Sequence, residues 1–223
     1  MTPRQRLMAT LRGQPVDRPP VSFYEIGGFK VDPADPEPFN IYNDPSWAPL
    51  LELAETQTDL IRMRGPMAQY RHPELRAKWW RTETWQEGDS RFTRLTIQTA
   101  RRQLTQLQRR DRQIDTIWTL EHLLKDLDDL RAFLEIPDET LDTTVDVSNL
   151  LEAERLLGDR GIVMVDTSDP LCQAAGLFSM EDFTLLAFTE PEAFHALLRK
   201  LARPLYAQTQ ATARAFPGRL WRI

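Results

Sequence analysis

The sequence predicts an α/β protein with a parallel sheet, because strand patterns alternate with helix patterns along its 223 residues. The strongest strand pattern is GIVMVDT at 161–167, a nearly all-apolar run typical of parallel sheets that are covered on both faces. The composition, 41% hydrophobic and 27% charged, is that of an ordinary globular protein. The chain should therefore build a hydrophobic core rather than remain disordered.

Charge and cysteine content narrow the function classes. The chain has 33 acidic and 28 basic side chains, and this net charge of -5 argues against a nucleic-acid partner. The lone cysteine, Cys172, cannot form an internal disulfide, and the N-terminal residues lack the apolar core of a signal peptide. We therefore predict a cytoplasmic protein. No apolar run approaches the roughly 18 to 20 residues of a membrane-spanning helix, so no membrane partner is expected.

The first predicted elements are a helix and a strand. Thr2, Pro3 and Gln5 fit a capped helix start, and Gly13 marks the end of that helix. The β-branched and aromatic run VSFYEI then predicts a strand near 20–26.

A helix, a second strand and an insertion follow. Either Asp44 or Ser46 caps the helix pattern WAPLLELAETQ, and DLIRMRG predicts a strand near 58–64. The alternation breaks at about 67–113, where two strands around the turn EGDS predict an antiparallel hairpin near 79–98. The polar stretch after this hairpin is interpreted as part of the same insertion.

The second half of the chain returns to alternating elements. Leucines at helical spacing predict a helix that begins either near Leu120 or after a cap at Asp126. Ser148 opens another helix before the strand at 161–167, and further helix patterns lead to a last strand near 219–223. Such alternation implies right-handed crossovers between parallel strands.

Three stretches of the chain resemble the uroporphyrinogen decarboxylase superfamily, which also contains cobalamin-dependent methyltransferases. They are TPRQRLMATLRGQPVDRPPVSF, TIWTLEHLLKDLDDLRAFLEIP and LLGDRGIVMVDTSDPLCQAAGLFSMEDFTLLAFTEPEAFHALL. The first is the most specific, because it contains a G-x-x-x-D-R-x-P turn before the strand. The resemblance implies a (βα)₈ TIM barrel. Residues 1–223 would form a single domain with about its first four strands and a hairpin insertion, as expected of a chain cut short.

The resemblance also implies an enzyme, either a methyltransferase that uses a small donor and a corrinoid or a tetrapyrrole decarboxylase. The decarboxylases hold substrate carboxylates with two arginines, whose positions here are Glu25 and Phe29. A glutamate would repel an anionic tetrapyrrole, which favours methyl transfer; a non-catalytic, truncated relative is the other alternative. The implied partners are a small-molecule substrate and a corrinoid protein. Corrinoid and zinc are implied for the full-length protein, whereas this chain alone is predicted to bind neither a metal nor a cofactor.

The predicted site consists of charged residues at the carboxyl ends of the strands, where barrel enzymes place their active sites. The predicted catalytic residues are Glu25, Arg64 and Asp166. The predicted substrate-binding residues are Arg62, Asp169, Gln173 and Arg222. Alternation along each strand predicts that the strand residues share the inner face, with Glu25 paired to Arg64 or Arg62. A structural ion-pair network, and a turn cap at Pro170 for Asp169, stay open as alternatives.

Overall fold

The computed structural model describes residues 1–23 and 37–222, which belong to two compact units. Unit 1 comprises residues 1–67, 145–167 and 211–223, and unit 2 comprises residues 68–144 and 168–210. The boundary falls within three secondary-structure elements, because two strands and the longest helix contribute residues to both units.

The helices and strands of the described residues are numbered in chain order. The helices are α1 Pro3–Leu11, α2 Ala48–Gln57, α3 Pro73–Ala77, α4 Leu127–Leu134, α5 Ser148–Leu157, α6 Pro170–Ala175, α7 Met180–Thr189 and α8 Pro191–Ala215. The strands are β1 Leu60–Arg64, β2 Met67–Tyr70, β3 Trp80–Glu87, β4 Ser90–Gln98, β5 Gln103–Asp111, β6 Ile117–Glu121, β7 Thr143–Asp146, β8 Gly161–Asp166 and β9 Leu220–Arg222. None of the described helices is long and apolar enough to span a membrane.

Unit 1 is built on a three-stranded sheet in the order β1–β8–β9, in which both strand pairs are parallel. Gly161 lies opposite Leu60, where an added Cβ would overlap the Leu60 carbonyl oxygen, so this close approach requires glycine. Buried apolar side chains of the sheet and of α5 form one core with Phe216. This core contains Leu60, Leu150, Leu157, Val163, Val165 and Phe216.

Unit 2 contains a four-stranded antiparallel sheet in the order β3–β4–β5–β6. Glu87 and Ser90 pair across the first turn, and Gly88 adopts the positive φ of 57° that favours glycine in a two-residue hairpin loop. One face of the sheet packs against the helices of unit 2 in a second core. Its buried residues are Ile97, Leu104, Leu123, Leu124, Leu130, Ala132, Phe133, Ile136, Ala174, Phe178, Leu186, Leu197 and Leu201. Strands β2 and β7 form a separate two-stranded sheet.

The predicted TIM barrel is wrong for the described part of the chain, which contains three small sheets and no closed barrel. Of the strand predicted near 20–26, residues 20–23 do not form a strand, and residues 24–26 lie outside the described residues. Val21 accepts a hydrogen bond from the Asp59 N–H at 2.7 Å. The strands predicted near 58–64, 161–167 and 219–223 are confirmed as β1, β8 and β9. Among the described strands, these three form the parallel sheet, whereas the chain between β1 and β8 folds into antiparallel pairs.

The predicted hairpin near 79–98 is confirmed, but it is half of a larger sheet. The polar stretch after it forms β5, and β6 follows at Ile117–Glu121. Helix α4 therefore begins at Leu127 and not near Leu120. Its cap is Asp126, whose carboxylate accepts a hydrogen bond from the Asp129 N–H at 2.7 Å.

Candidate functional site

The carboxyl ends of β1, β8 and β9 meet at one edge of the parallel sheet, because all three strands run in the same direction. The strands end at Arg64, Asp166 and Arg222, so each one brings a charged side chain to this edge. In open parallel sheets, ligands bind in the crevice outside the carboxyl ends of the strands. This edge is therefore the candidate site of unit 1.

Asp166 and Arg222 form an open ion pair at this edge. Arg222 Nη1 lies 3.6 Å from Asp166 Oδ1, and the two side chains are 48% and 41% exposed. The same Nη1 donates to the sulfur of Met63 at 3.1 Å. Thr167 holds the backbone beneath them, since its N–H and its hydroxyl donate to the Arg222 carbonyl at 3.2 Å and 3.1 Å. The strand ends are thus fixed while both charged groups reach solvent.

Arg62 and Arg64 lie on the opposite face of the sheet from this ion pair. Arg64 is in register with Val165, whereas Asp166 is in register with Arg222, and successive residues of a strand face opposite sides. Val165 belongs to the core beneath α5. The prediction that all the charged strand residues share one face is therefore wrong for the two arginines of β1.

The surroundings of these two arginines also differ from those of Arg222. Burial and the nearby Arg62 lower the pKa of Arg64, whose Nη1 donates to the Met63 carbonyl at 2.8 Å. Arg62 forms an ion pair with Glu55 of α2, and Glu55 also lies 3.4 Å from Arg160. Arg62 thus belongs to a structural ion-pair network, which was the alternative to a substrate-binding role for the charged strand residues.

Two polar residues near the edge were missed by the sequence interpretation. Thr167 could have been found, because it follows β8 directly. Asn149 of α5 donates to the Gly65 carbonyl at 2.8 Å, just beyond the end of β1. Its Oδ1 is shielded from solvent and has no hydrogen-bond partner among the described residues. A helix-start position was the only sequence signal for Asn149.

Asp169 and Gln173 lie in unit 2, whereas the other described candidates lie in unit 1. Asp169 caps α6, because its Oδ1 accepts hydrogen bonds from the N–H groups of Leu171 and Cys172 at 2.8 Å and 2.9 Å. The Cys172 side chain and these N–H groups lower the pKa of Asp169. The capping alternative for Asp169 is confirmed, and ligand contact by either residue stays a prediction.

Glu25 lies outside the described residues, so its pairing with Arg64 or Arg62 stays a prediction. Within residues 1–23 and 37–222, no cluster of three or more His, Cys, Asp or Glu side chains could hold a metal ion. The described residues therefore do not fit a zinc centre, and no chemical step is assigned to a metal in this chain.

A buried carboxylate, Asp59, lies one residue before β1, at the opposite end of the strand from the candidate site. Asp59 is fully buried and accepts hydrogen bonds from Arg6 at 2.5 Å, Arg18 at 2.8 Å and the Val21 N–H at 2.9 Å. Arg6 also binds Asp17 through two nitrogens, at 2.7 Å and 2.8 Å. This cluster joins the predicted D-R turn to β1, so we interpret it as structural.

Fold and site together define a mixed α/β protein in which a parallel-sheet edge carries an accessible ion pair. Comparison with protein-family models, curated proteins and solved structures found no match.

Proposed function

We propose that the carboxyl edge of the parallel sheet binds a small organic ligand that carries an anionic group, as part of an enzyme. The observation that carries this proposal is the Asp166–Arg222 pair, which is half-exposed and 3.6 Å apart at the edge where parallel sheets bind ligands. Arginine binds carboxylate or phosphate through two parallel hydrogen bonds. The carboxylate of Asp166 would accept a hydrogen bond from a hydroxyl or amine group of the same ligand.

The reaction that we propose is methyl transfer between a small donor and a corrinoid, supported by the three sequence stretches that resemble the uroporphyrinogen decarboxylase superfamily. Tetrapyrrole decarboxylation is the alternative within that superfamily, and a non-catalytic role is the alternative outside it. In each of the two reactions, the part proposed for Arg222 and Asp166 is to bind and orient the small substrate. A cytoplasmic location belongs to the same proposal and is supported by the lone cysteine.

Binding measurements on Arg222→Gln and Asp166→Asn test the proposal. Succinate, cobalamin and a tetrapyrrole polycarboxylate would be titrated separately into the full chain by calorimetry. We expect at least one of them to bind, and Arg222→Gln to weaken that binding about tenfold, as the loss of one charge-assisted hydrogen bond would. The ligand that binds identifies its chemical class.

Arg155→Gln is the matched control, because it removes the same charge from an exposed arginine that is ion-paired with Glu152 on α5. Equal affinities of the Arg222→Gln and Arg155→Gln variants would contradict a site at the sheet edge. Failure of all three ligands to bind would favour the non-catalytic alternative.

A further inference from the structure

The four-stranded sheet of unit 2 has an apolar face and a polar face. On the apolar face, Trp80, Ile97 and Leu104 are in register across β3, β4 and β5, and Leu95 lies two residues before Ile97 on β4. All four residues belong to the core of unit 2 or pack against it. The alternate residues of the same strands must face the other way. This polar face includes Arg81 on β3.

The polar face and the end of α3 enclose a cleft of about 640 Å³. Its lining residues are Ala77, Lys78, Trp79, Trp80, Arg81, Glu83, Arg94, Thr96, Gln98, Gln103, Thr105 and Glu121. The volume falls within the range of small-molecule sites. However, the lining is mostly polar, which selects for a ligand with many hydrogen-bonding groups.

Two cross-strand pairs of neutral polar side chains line the cleft. Thr96 lies directly opposite Thr105, and Gln98 lies directly opposite Gln103. The Thr105 hydroxyl already donates to Glu121, and Gln103 Nε2 donates to Gln98 Oε1 at 3.5 Å. Thr105 therefore accepts from a ligand, while Thr96 and the remaining amide groups can donate and accept. A ligand with several hydroxyl groups has the same dual capacity, because each hydroxyl is both a donor and an acceptor.

The charged residues of the cleft favour a neutral ligand. Glu83 lies 2.7 Å from Arg81, and Glu121 lies 3.0 Å from Lys125. The Thr105 hydroxyl donates to Glu121 and lowers the pKa of that carboxyl, so it is ionised at neutral pH. The lining also includes Lys78 and Arg94, so both cations and carboxylates line the cleft. Charges of both signs favour a neutral ligand over a polyanion or a polycation.

Two aromatic side chains lie beside the cleft, outside its lining but on the same face of the sheet. Trp85 of β3 lies directly opposite Phe92 of β4. This pair is two positions along the strands from the pair Glu83–Arg94, so both pairs lie on the same face of the sheet. Their rings stack, with centroids 5.5 Å apart and an angle of 14° between the planes. Flat aromatic surfaces beside hydrogen-bonding groups suit a ring that has both apolar C–H faces and a polar hydroxyl rim.

We propose that this cleft binds a neutral oligosaccharide. Its hydroxyl groups would bind the Thr96–Thr105 and Gln98–Gln103 pairs, and its ring faces would pack on the aromatic side chains. This site lies within unit 2 and does not depend on the function proposed for the sheet edge of unit 1.

The test is titration of the full chain with neutral hexasaccharides, followed by protein NMR and calorimetry. The probes are the hexamers of α-1,4-linked glucose, β-1,4-linked glucose and β-1,4-linked xylose, with a single-stranded oligonucleotide as the polyanionic alternative. We expect one of the sugars to bind with a Kd below about 1 mM and to shift signals from β3, β4 and β5. Gln103→Ala should weaken this binding about tenfold, the effect of losing hydrogen bonds to the sugar.

Gln86→Ala is the matched control. Gln86 is also exposed on the four-stranded sheet, but the register of β3 places it on the face opposite the cleft. Equal effects of the two substitutions would overturn the proposal. It would also be overturned if none of the three sugars bound, or if the oligonucleotide alone shifted the signals of the cleft residues.

Discussion

Replacing Asp59 by asparagine tests how far one buried carboxylate stabilises unit 1. Arg6, Arg18 and the Val21 N–H all donate to Asp59. Asp59→Asn therefore takes the charged acceptor from Arg18 and from the Val21 N–H, whereas Arg6 keeps its ion pair with Asp17. Loss of one partner from a buried ion pair costs about 3–5 kcal/mol. We expect the lower end of this range, because the Arg18 side chain is 46% exposed. Chemical denaturation of both proteins measures the difference in the free energy of unfolding.

The pH dependence of this difference separates loss of charge from loss of shape. Burial opposes ionisation of Asp59, but the hydrogen bonds from Val21, Arg18 and Arg6 hold its pKa below the ordinary 3.8. A lowered folded-state pKa contributes stability that is complete above the unfolded-state pKa and is lost as the pH falls through the folded-state pKa. The advantage of the wild type over Asp59→Asn should therefore shrink below pH 3.8. A constant difference down to low pH, or an equal loss in the exposed control Asp159→Asn, would contradict this account.

The candidate site was only partly predictable, because alternation assigns faces within one strand but not between strands. Asp166 and Arg222 were both identified from the sequence, and the structure places them together. Arg64 was assigned to the same face, but it is in register with Val165 and not with Asp166. The relative register of two strands depends on pairing between residues that are distant in the chain, and no local pattern contains it.

At the scale of elements, the sequence located most helices but not all of their caps. Asp44 caps only the short 3₁₀ turn Pro45–Trp47, and α2 begins at Ala48 without a side-chain cap. The prediction that Asp44 or Ser46 caps α2 is therefore wrong. The capping box between Thr2 and Gln5 is present at the start of α1. In contrast, Leu120 was assigned to the helical stripe that continues through Leu123 and Leu124. It is half-exposed in β6, whereas the other two leucines are buried in the loop before α4. Pairing of β6 with β5 overrides the local leucine spacing, as tertiary context commonly does.

Substitution of Asp126 tests the start of α4. Asp126→Ala removes the side-chain acceptor of the Asp129 N–H and should lower the free energy of unfolding by about 1 kcal/mol. Asp126→Asn keeps a capping oxygen but loses the ion pair with Arg102, which lies 2.8 Å away at an exposed position. Since exposed ion pairs contribute little, the asparagine variant should retain most of the stability. Thermal unfolding of both variants measures this, and equal losses would show that the charge matters more than the cap.

At the scale of the whole molecule, the predicted barrel failed because the sequence patterns do not specify which strands pair. The local pattern located β1, β8 and β9 within a few residues. However, residues 67–113 were treated as an insertion into one domain, and they contain three of the four strands of the sheet that unit 2 is built on. The alternating polar face of that sheet suits an antiparallel arrangement, which needs a cover on one side only.

Two separate cores lead to a prediction about how the molecule unfolds. Leu124 belongs to the core of unit 2 and Leu150 to the core of unit 1, and both side chains are 0% exposed. Leu124→Ala and Leu150→Ala remove the same groups and should each destabilise the surrounding core by about 2–5 kcal/mol. Because regions with their own cores can open as separate cooperative units, each variant should lose hydrogen-exchange protection mainly in its own unit. Peptide-resolved hydrogen exchange would show Leu124→Ala exposing amides of β4 and β5, and Leu150→Ala exposing amides of β1 and β8. Equal loss of protection in both sets of strands, in either variant, would show instead that the two cores unfold as one.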